Sequence, residues 1–90
     1  MPSYMVSYDL RAPGRNYQPL YDALTNAKAV KALQSLWFLD DPKPSTQVRD
    51  ILRGLVDAND GILVIEITNS NWATVQLLPG AVDWLKARFP

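Results

Sequence analysis

The run Ser3-Tyr4-Met5-Val6-Ser7-Tyr8-Asp9 alternates as a half-buried strand does, and it stops on a carboxylate. The loop Leu10-Arg11-Ala12-Pro13-Gly14-Arg15 follows at once. Asp9 is therefore expected at the open end of a sheet, beside two arginines and a helix N-terminus. A carboxylate so placed has the chemistry to hold Mg²⁺ or to neighbour a phosphate-linked ligand. It can equally be a strand-end acid paired with Arg11 or Arg15. Lys28 is read as a third cation available to phosphates near Asp9. Gly14 leaves the backbone open, but a single glycine makes no phosphate-cradling loop.

Composition narrows that chemistry. The 90 residues contain no histidine and no cysteine. Zinc, copper and haem sites normally draw on those side chains, and the Ser-His-Asp and Cys-His forms of nucleophilic catalysis require them. Catalysis is left to carboxylates, Tyr, Ser, Lys or Arg, with a hard cation such as Mg²⁺ as the fitting cofactor. Nine basic and nine acidic residues cancel, so net charge gives no reason to expect strong binding to bulk nucleic acid. Apolar residues make up 48% of the chain, enough for one real core in one domain over 1–90. No signal peptide or membrane-spanning run is read, and a cysteine-free chain fits a cytoplasmic location.

The elements that must position Asp9 follow from periodicity. Tyr4, Val6 and Tyr8 share one face of the first strand, and Met5, Ser7 and Asp9 the other. Asn16 is a good N-cap, Pro19 is tolerated in a first turn, and Tyr17, Leu20, Tyr21 and Leu24 form an amphipathic stripe. Ala32 to Leu39 reads as a strand, closed by Asp40-Asp41-Pro42-Lys43-Pro44, with Asp40-Asp41 as a turn signal. Ser45 or Thr46 is expected to cap a second helix carrying Val48, Ile51, Leu52 and Leu55. The turn Asp57 to Gly61 leads into Ile62 to Ile67, the strongest strand signal, which Thr68-Asn69-Ser70-Asn71 breaks. Residues 72–90 form an extension: Trp72 to Gln76 as a short edge strand, then a helix from Pro79 with Val82, Trp84, Leu85 and Phe89. Two architectures satisfy this order. One has parallel crossovers, which gather Asp9 and Asp40-Asp41 at one edge; the other is an antiparallel, ferredoxin-like sheet with an extra strand at Ala29 to Ala32 hairpinned to Gln34 to Leu39, in which Asp9 faces Ser35 and the Asn59-Asp60 turn.

Val6-Ser7-Tyr8-Asp9-Leu10, Gln34-Ser35-Leu36-Trp37-Phe38, the Pro44-to-Asp57 helix and Gly61-to-Thr68 occur in an order and spacing that resemble a known group. This is the small CRISPR-associated endoribonuclease family, which also supplies the dimeric adaptor of spacer integration; virulence-associated protein D toxins share its fold. Short stand-alone proteins of bacteria and mobile elements, often labelled SinR-like, are a nearer likeness. The resemblance covers residues 3–68. It implies an α+β, ferredoxin-like fold with two helices on one face of the sheet, and a homodimer whose sheets face each other. It also implies a divalent ion held by the aspartate ending the first strand, here Asp9. The family's strand serine falls on Ser35 and its aromatic on Trp37 or Phe38. After Asp9 the chain departs from the family pattern, with Arg-Ala-Pro-Gly-Arg-Asn leading into the helix.

The expected interface follows from placing Val6, Leu36, Phe38, Leu63, Ile65 and Ile67 against the helices. Met5, Ser7, Ser35, Trp37 and Val64 then line a second face whose mix of Met and Trp suits a subunit contact. The competing arrangement folds the last helix back over that face. The expected function is a homodimeric, nucleic-acid-associated relative of the small nucleases, with Mg²⁺-dependent cleavage at Asp9 and phosphate contacts from Arg11, Arg15 and Lys28. A catalytically silent scaffold for a protein partner and a toxin-type ribonuclease are the alternatives. Arg49 and Arg53 read as a solvated helix face.

Overall fold

A computed structural model describes residues 1–68 and 71–90. Asn69 and Ser70, part of the break read after the last strand, lie outside the described residues. The order is β1 (Ser3–Asp9), α1 (Gln18–Asn26), β2 (Val30–Leu33), β3 (Leu36–Asp40), α2 (Ser45–Arg53), β4 (Gly61–Ile67) and α3 (Ala81–Arg88). The four strands form one antiparallel-paired sheet in the order β2-β3-β1-β4. This is the ferredoxin-like alternative with a C-terminal helix added. Among the described residues, no helix is long and apolar enough to cross a membrane.

The helices begin close to where the sequence places them, with different caps. The Asn16 side chain accepts from the Gln18 N–H at 3.0 Å, one residue early, and Tyr17 occupies the cap position itself. In α2 neither Ser45 nor Thr46 caps. Extended Pro44 does, its carbonyl accepting from the Gln47 and Val48 N–H groups at 3.0 and 3.2 Å. Of the two readings of this stretch the hairpin holds: β2 and β3 turn at Gln34-Ser35, with the first strand over Val30–Leu33 and not Ala29 to Ala32. Trp72 to Gln76 forms no strand. Gln76 takes a left-handed φ of 55° that extended pairing does not tolerate. The segment is tied instead by the Trp72 indole donating to the Phe89 carbonyl at 2.7 Å, and just beyond it by the Leu78 N–H on the Ala32 carbonyl of edge strand β2 at 3.0 Å.

Strand register corrects the expected faces. Val6 stands opposite Trp37 of β3 and Val64 of β4, so all three point the same way. Trp37 and Val64 thus belong with Tyr4, Val6, Tyr8 and Leu39, packed against Leu20 and Leu24 of α1 and Val48 and Leu52 of α2. Leu36, Phe38, Leu63, Ile65 and Ile67 go to the other face with Met5 and Ser7. Ser35 sits in the hairpin turn, off either face. The physical reason is that Leu36 to Leu39 and Ile62 to Ile67 are apolar at nearly every position. Either register then buries hydrocarbon, and a one-residue slip inverts the whole assignment.

The second face is shared. Phe38 stacks on Trp84 of α3 with ring centroids 4.9 Å apart, and Ala32, Ala81 and Leu85 complete that smaller core. Arg88 fastens the helix. Its guanidinium lies 3.9 Å from the Trp84 ring centroid, donates to the Trp84 carbonyl and forms a two-pronged ion pair with Asp40. Ser3 also donates to Asp40, at 2.6 Å. Asp40 is thus more than a turn signal. Partial burial opposes its ionisation, but the Arg88 and Ser3 hydrogen bonds and the nearby positive charges outweigh it, leaving its pKa below the ordinary carboxylate value.

Trp37 is only 7% exposed and its indole N–H donates to the Tyr8 hydroxyl at 3.0 Å. Trp37→Ala is expected to cost about 3–5 kcal/mol, read as a lower urea midpoint. Trp37→Glu is expected to abolish the cooperative transition instead of giving a folded monomer. The Asp40 contacts contribute stability that is full above the unfolded carboxyl pKa of about 3.9 and lost as pH falls through the lower folded value. Acid titration of Trp fluorescence should report that loss, and Asp40→Asn should remove it while lowering stability at pH 7 by roughly 1–2 kcal/mol.

Candidate functional site

Asp9 ends β1 directly opposite Gly61, the first residue of β4. Two turns close around it. The Tyr8 N–H donates to the Ser35 carbonyl at 3.1 Å, bringing the β2–β3 turn to the same end of the sheet. On the other side lies the Asp57 to Asp60 turn. By strand alternation the Asp9 side chain leaves on the face opposite α1 and α2. There it borders a shallow recess of about 290 Å³ with Ser7, Gly61 and Leu63.

Asp60 holds these loops together. One carboxylate oxygen accepts from the Arg11 N–H at 2.6 Å and the other from the Asp57 N–H at 2.8 Å. Tyr17 approaches from α1's entry, its hydroxyl accepting from the Ala12 N–H at 3.2 Å. Desolvation works against the Asp60 charge. The hydrogen bonds from Arg11, Tyr17 and Asp57, with the Arg15 charge, prevail and hold its pKa below the usual carboxylate range.

Arg11 turns back over this end. Its Nε donates to Asp9 Oδ2 at 2.9 Å and its Nη1 to the Asn59 carbonyl at 3.0 Å. The Asp9 side chain nonetheless remains 70% exposed. Arg15 faces Asp57 at 3.9 Å, one turn away. Lys28 is not part of the cluster. β1 and β2 both run antiparallel to β3, so the loop before β2 lies at the end where β1 begins, away from Asp9. Of the expected interface set, Met5 and Ser7 lie on the open face and Ser35 at its end, whereas Trp37 and Val64 are turned into the helix-side core. Leu63 and Ile65 take their place, 53% and 47% exposed. Arg49 is paired with its neighbour Asp50 at 2.9 Å on the outer face of α2, as the solvated-face reading has it.

A hard divalent ion suits the oxygen donors of an exposed carboxylate. Among the described residues no group of three or more acidic side chains is placed to hold a metal ion, and the side-chain partner of Asp9 is Arg11. Compared with known proteins, the chain matches no family model and no solved structure matches it.

The sequence reading brings the Asn59-Asp60 turn to face Asp9 in the antiparallel order but gives Asp60 no task there, and it passes over Gly61 and Tyr17. The Asp60-Gly61 pair directly before the strongest strand is the signal that was available, since Asp in a turn commonly accepts backbone N–H groups. Asp60→Ala should speed hydrogen exchange at the Arg11 and Asp57 amides while those of Val6 and Ile65 stay protected. In the native chain the same acceleration should appear only as pH falls below the ordinary carboxylate pKa and Asp60 takes up its proton.

Proposed function

We propose that this chain works as a homodimeric, nucleic-acid-associated protein of the small CRISPR-associated nuclease type, with Asp9 as its cation-binding carboxylate. The observation that carries the reading is the position of Asp9. It is an exposed acid at the margin of an open sheet face that still presents Leu63 and Ile65 to solvent. Two such faces pairing about a two-fold axis would bury that hydrocarbon and bring both Asp9 carboxylates to one interface. A shared Mg²⁺ would offset their repulsion and, when bound, supply Lewis-acid activation of a phosphodiester or of a water. Asp9 of each copy would hold the ion, and Arg11 and Arg15 would meet flanking phosphates.

A specific observation favours one second reading, the protein-binding scaffold. A groove of about 630 Å³ runs between the open face and the segment before α3, bordered by Met5, Phe38, Ile67, Trp72, Val75 and Leu77. An apolar channel of that kind suits a protein segment better than a phosphate backbone.

Light scattering should show a dimer at micromolar concentration, and Ile65→Glu a folded monomer. Cleavage of short RNA or DNA should need Mg²⁺ or Mn²⁺ and vanish in Asp9→Asn with the fold intact. Anisotropy across a salt series should give a shallow slope, about two phosphates per protomer, flattened by Arg11→Ala with Arg15→Ala and unchanged by charge reversal at Arg49 and Arg53. No binding at low salt would decide for the scaffold. Cleavage that persists in chelator would remove Asp9 from the chemistry.

A further inference from the structure

We infer that the outer edge of β4 docks a second copy of this chain, the two β4 strands pairing antiparallel about a two-fold axis at Val64 to join both sheets into one. The pairing uses the edge of the sheet and makes no use of Asp9, so it stands or falls apart from the cation reading.

Of the two edges of the sheet, one is closed. On β2 the Leu78 N–H bonds the Ala32 carbonyl at 3.0 Å, the ladder shifts register between Lys31 and Leu33, and α3 packs alongside. β4, the opposite edge, has none of these protections. It pairs with β1 without a break, contains neither Pro nor Lys, and carries one charge, Glu66. Among the described residues no loop or side chain hydrogen-bonds to its backbone from outside the sheet. An edge left plain in this way is a template for a further strand.

The outward groups follow from β1. The Tyr8 N–H bonds toward the β3 side, to the Ser35 carbonyl. Tyr4, Val6 and Tyr8 therefore turn their backbone to β3, and Ser3, Met5, Ser7 and Asp9 turn theirs to β4. The residues opposite the latter, Gly61, Leu63, Ile65 and Ile67, bond inward, which leaves Ile62, Val64 and Glu66 facing the open edge. One alignment engages all three on both copies with about six hydrogen bonds. It sets Val64 opposite Val64 of the second copy, and Ile62 opposite its Glu66.

The same alignment matches charge. Ile62 borders a recess of about 290 Å³ with Arg49 and Arg53. Glu66 is exposed on the helix side of the sheet, as Ile62 is, so the two-fold brings the glutamate of each copy to the recess of the other. The acids of the recess are already engaged, Asp60 by two backbone N–H groups and Asp57 by the Asn59 N–H and Arg15. Arg49 is paired with Asp50, whereas Arg53 and Glu66 enter no ion pair among the described residues. On the open face Leu63 of one copy comes beside Ile65 of the other, giving both exposed side chains an apolar neighbour. A foreign strand would satisfy the backbone equally well. The self-complementary placing of Arg53 and Glu66 singles out a second copy.

The test is amide hydrogen exchange across a concentration series, with sedimentation giving the fraction of dimer. As dimer forms, the Ile62, Val64 and Glu66 amides should slow by about tenfold or more, while those of Leu63 and Ile65 are slow throughout. Arg53→Glu and Glu66→Arg should each weaken dimerisation about five- to thirtyfold, and the two together should return it to within about threefold of the native chain. A dimer whose Ile62, Val64 and Glu66 amides exchange as in the monomer would overturn the edge pairing and leave pairing through the open face. Slowed amides with neither charge reversal having an effect would overturn the Val64-centred alignment. A chain that stays monomeric at every concentration would overturn the inference altogether.

Discussion

β1 is hydrogen-bonded along both edges, and its registers with β3 and β4 decide the direction of nearly every side chain in the sheet. Val6, wholly buried, sits at the crossing of both registers between Trp37 and Val64. The Trp37 indole bonded to the Tyr8 hydroxyl ties β3 to β1 inside the core, so the apolar face and a polar contact agree on one alignment. Burial of Leu20, Leu24, Val48 and Leu52 against those residues, each worth about 1.5–3 kcal/mol, then fixes α1 and α2 to that side. The position of Asp9 on the opposite face is a consequence of this alignment.

At the Asp9 end, two carboxylates 51 positions apart in sequence do different work because their surroundings differ. Asp60 has each oxygen filled by a backbone N–H, which makes it a structural acceptor joining the β1–α1 loop to the turn before β4. Asp9 has one exposed side-chain partner, Arg11, and open solvent. Rigid support from Asp60 is what gives Arg11 a defined origin from which to reach Asp9, so the structural acid controls the surroundings of the exposed one.

The second sheet face is covered on one half only. α3 covers the β2–β3 half through Phe38 and Trp84, and Arg88 bridges it to Asp40 at the far end of the sheet from Asp9. The β1–β4 half is left with Leu63 and Ile65 exposed and Asp9 at its margin. Packing of the last helix therefore does not take up the whole of this surface, although from composition it looks able to.

Local rules written in the chain were sufficient for the strand ending at Asp9, for both helices of the helix-side layer, for the turn before β4 and for the final helix. Alternation, 3.6-residue periodicity and turn residues act over short spans and survive without knowledge of partners. The meeting of Asp9 with Ser35 and the Asn59-Asp60 turn was likewise legible once an antiparallel order was assumed. Side-chain direction in β3 and β4 was not, because strands apolar at almost every position carry no period-2 signal, and only pairing with β1 assigns their faces. Tertiary structure alone turned Trp37 inward, left Lys28 at the wrong end of the sheet, and laid Arg11 against Asp9. Each of these depends on contacts between residues distant in sequence, which local propensity does not encode.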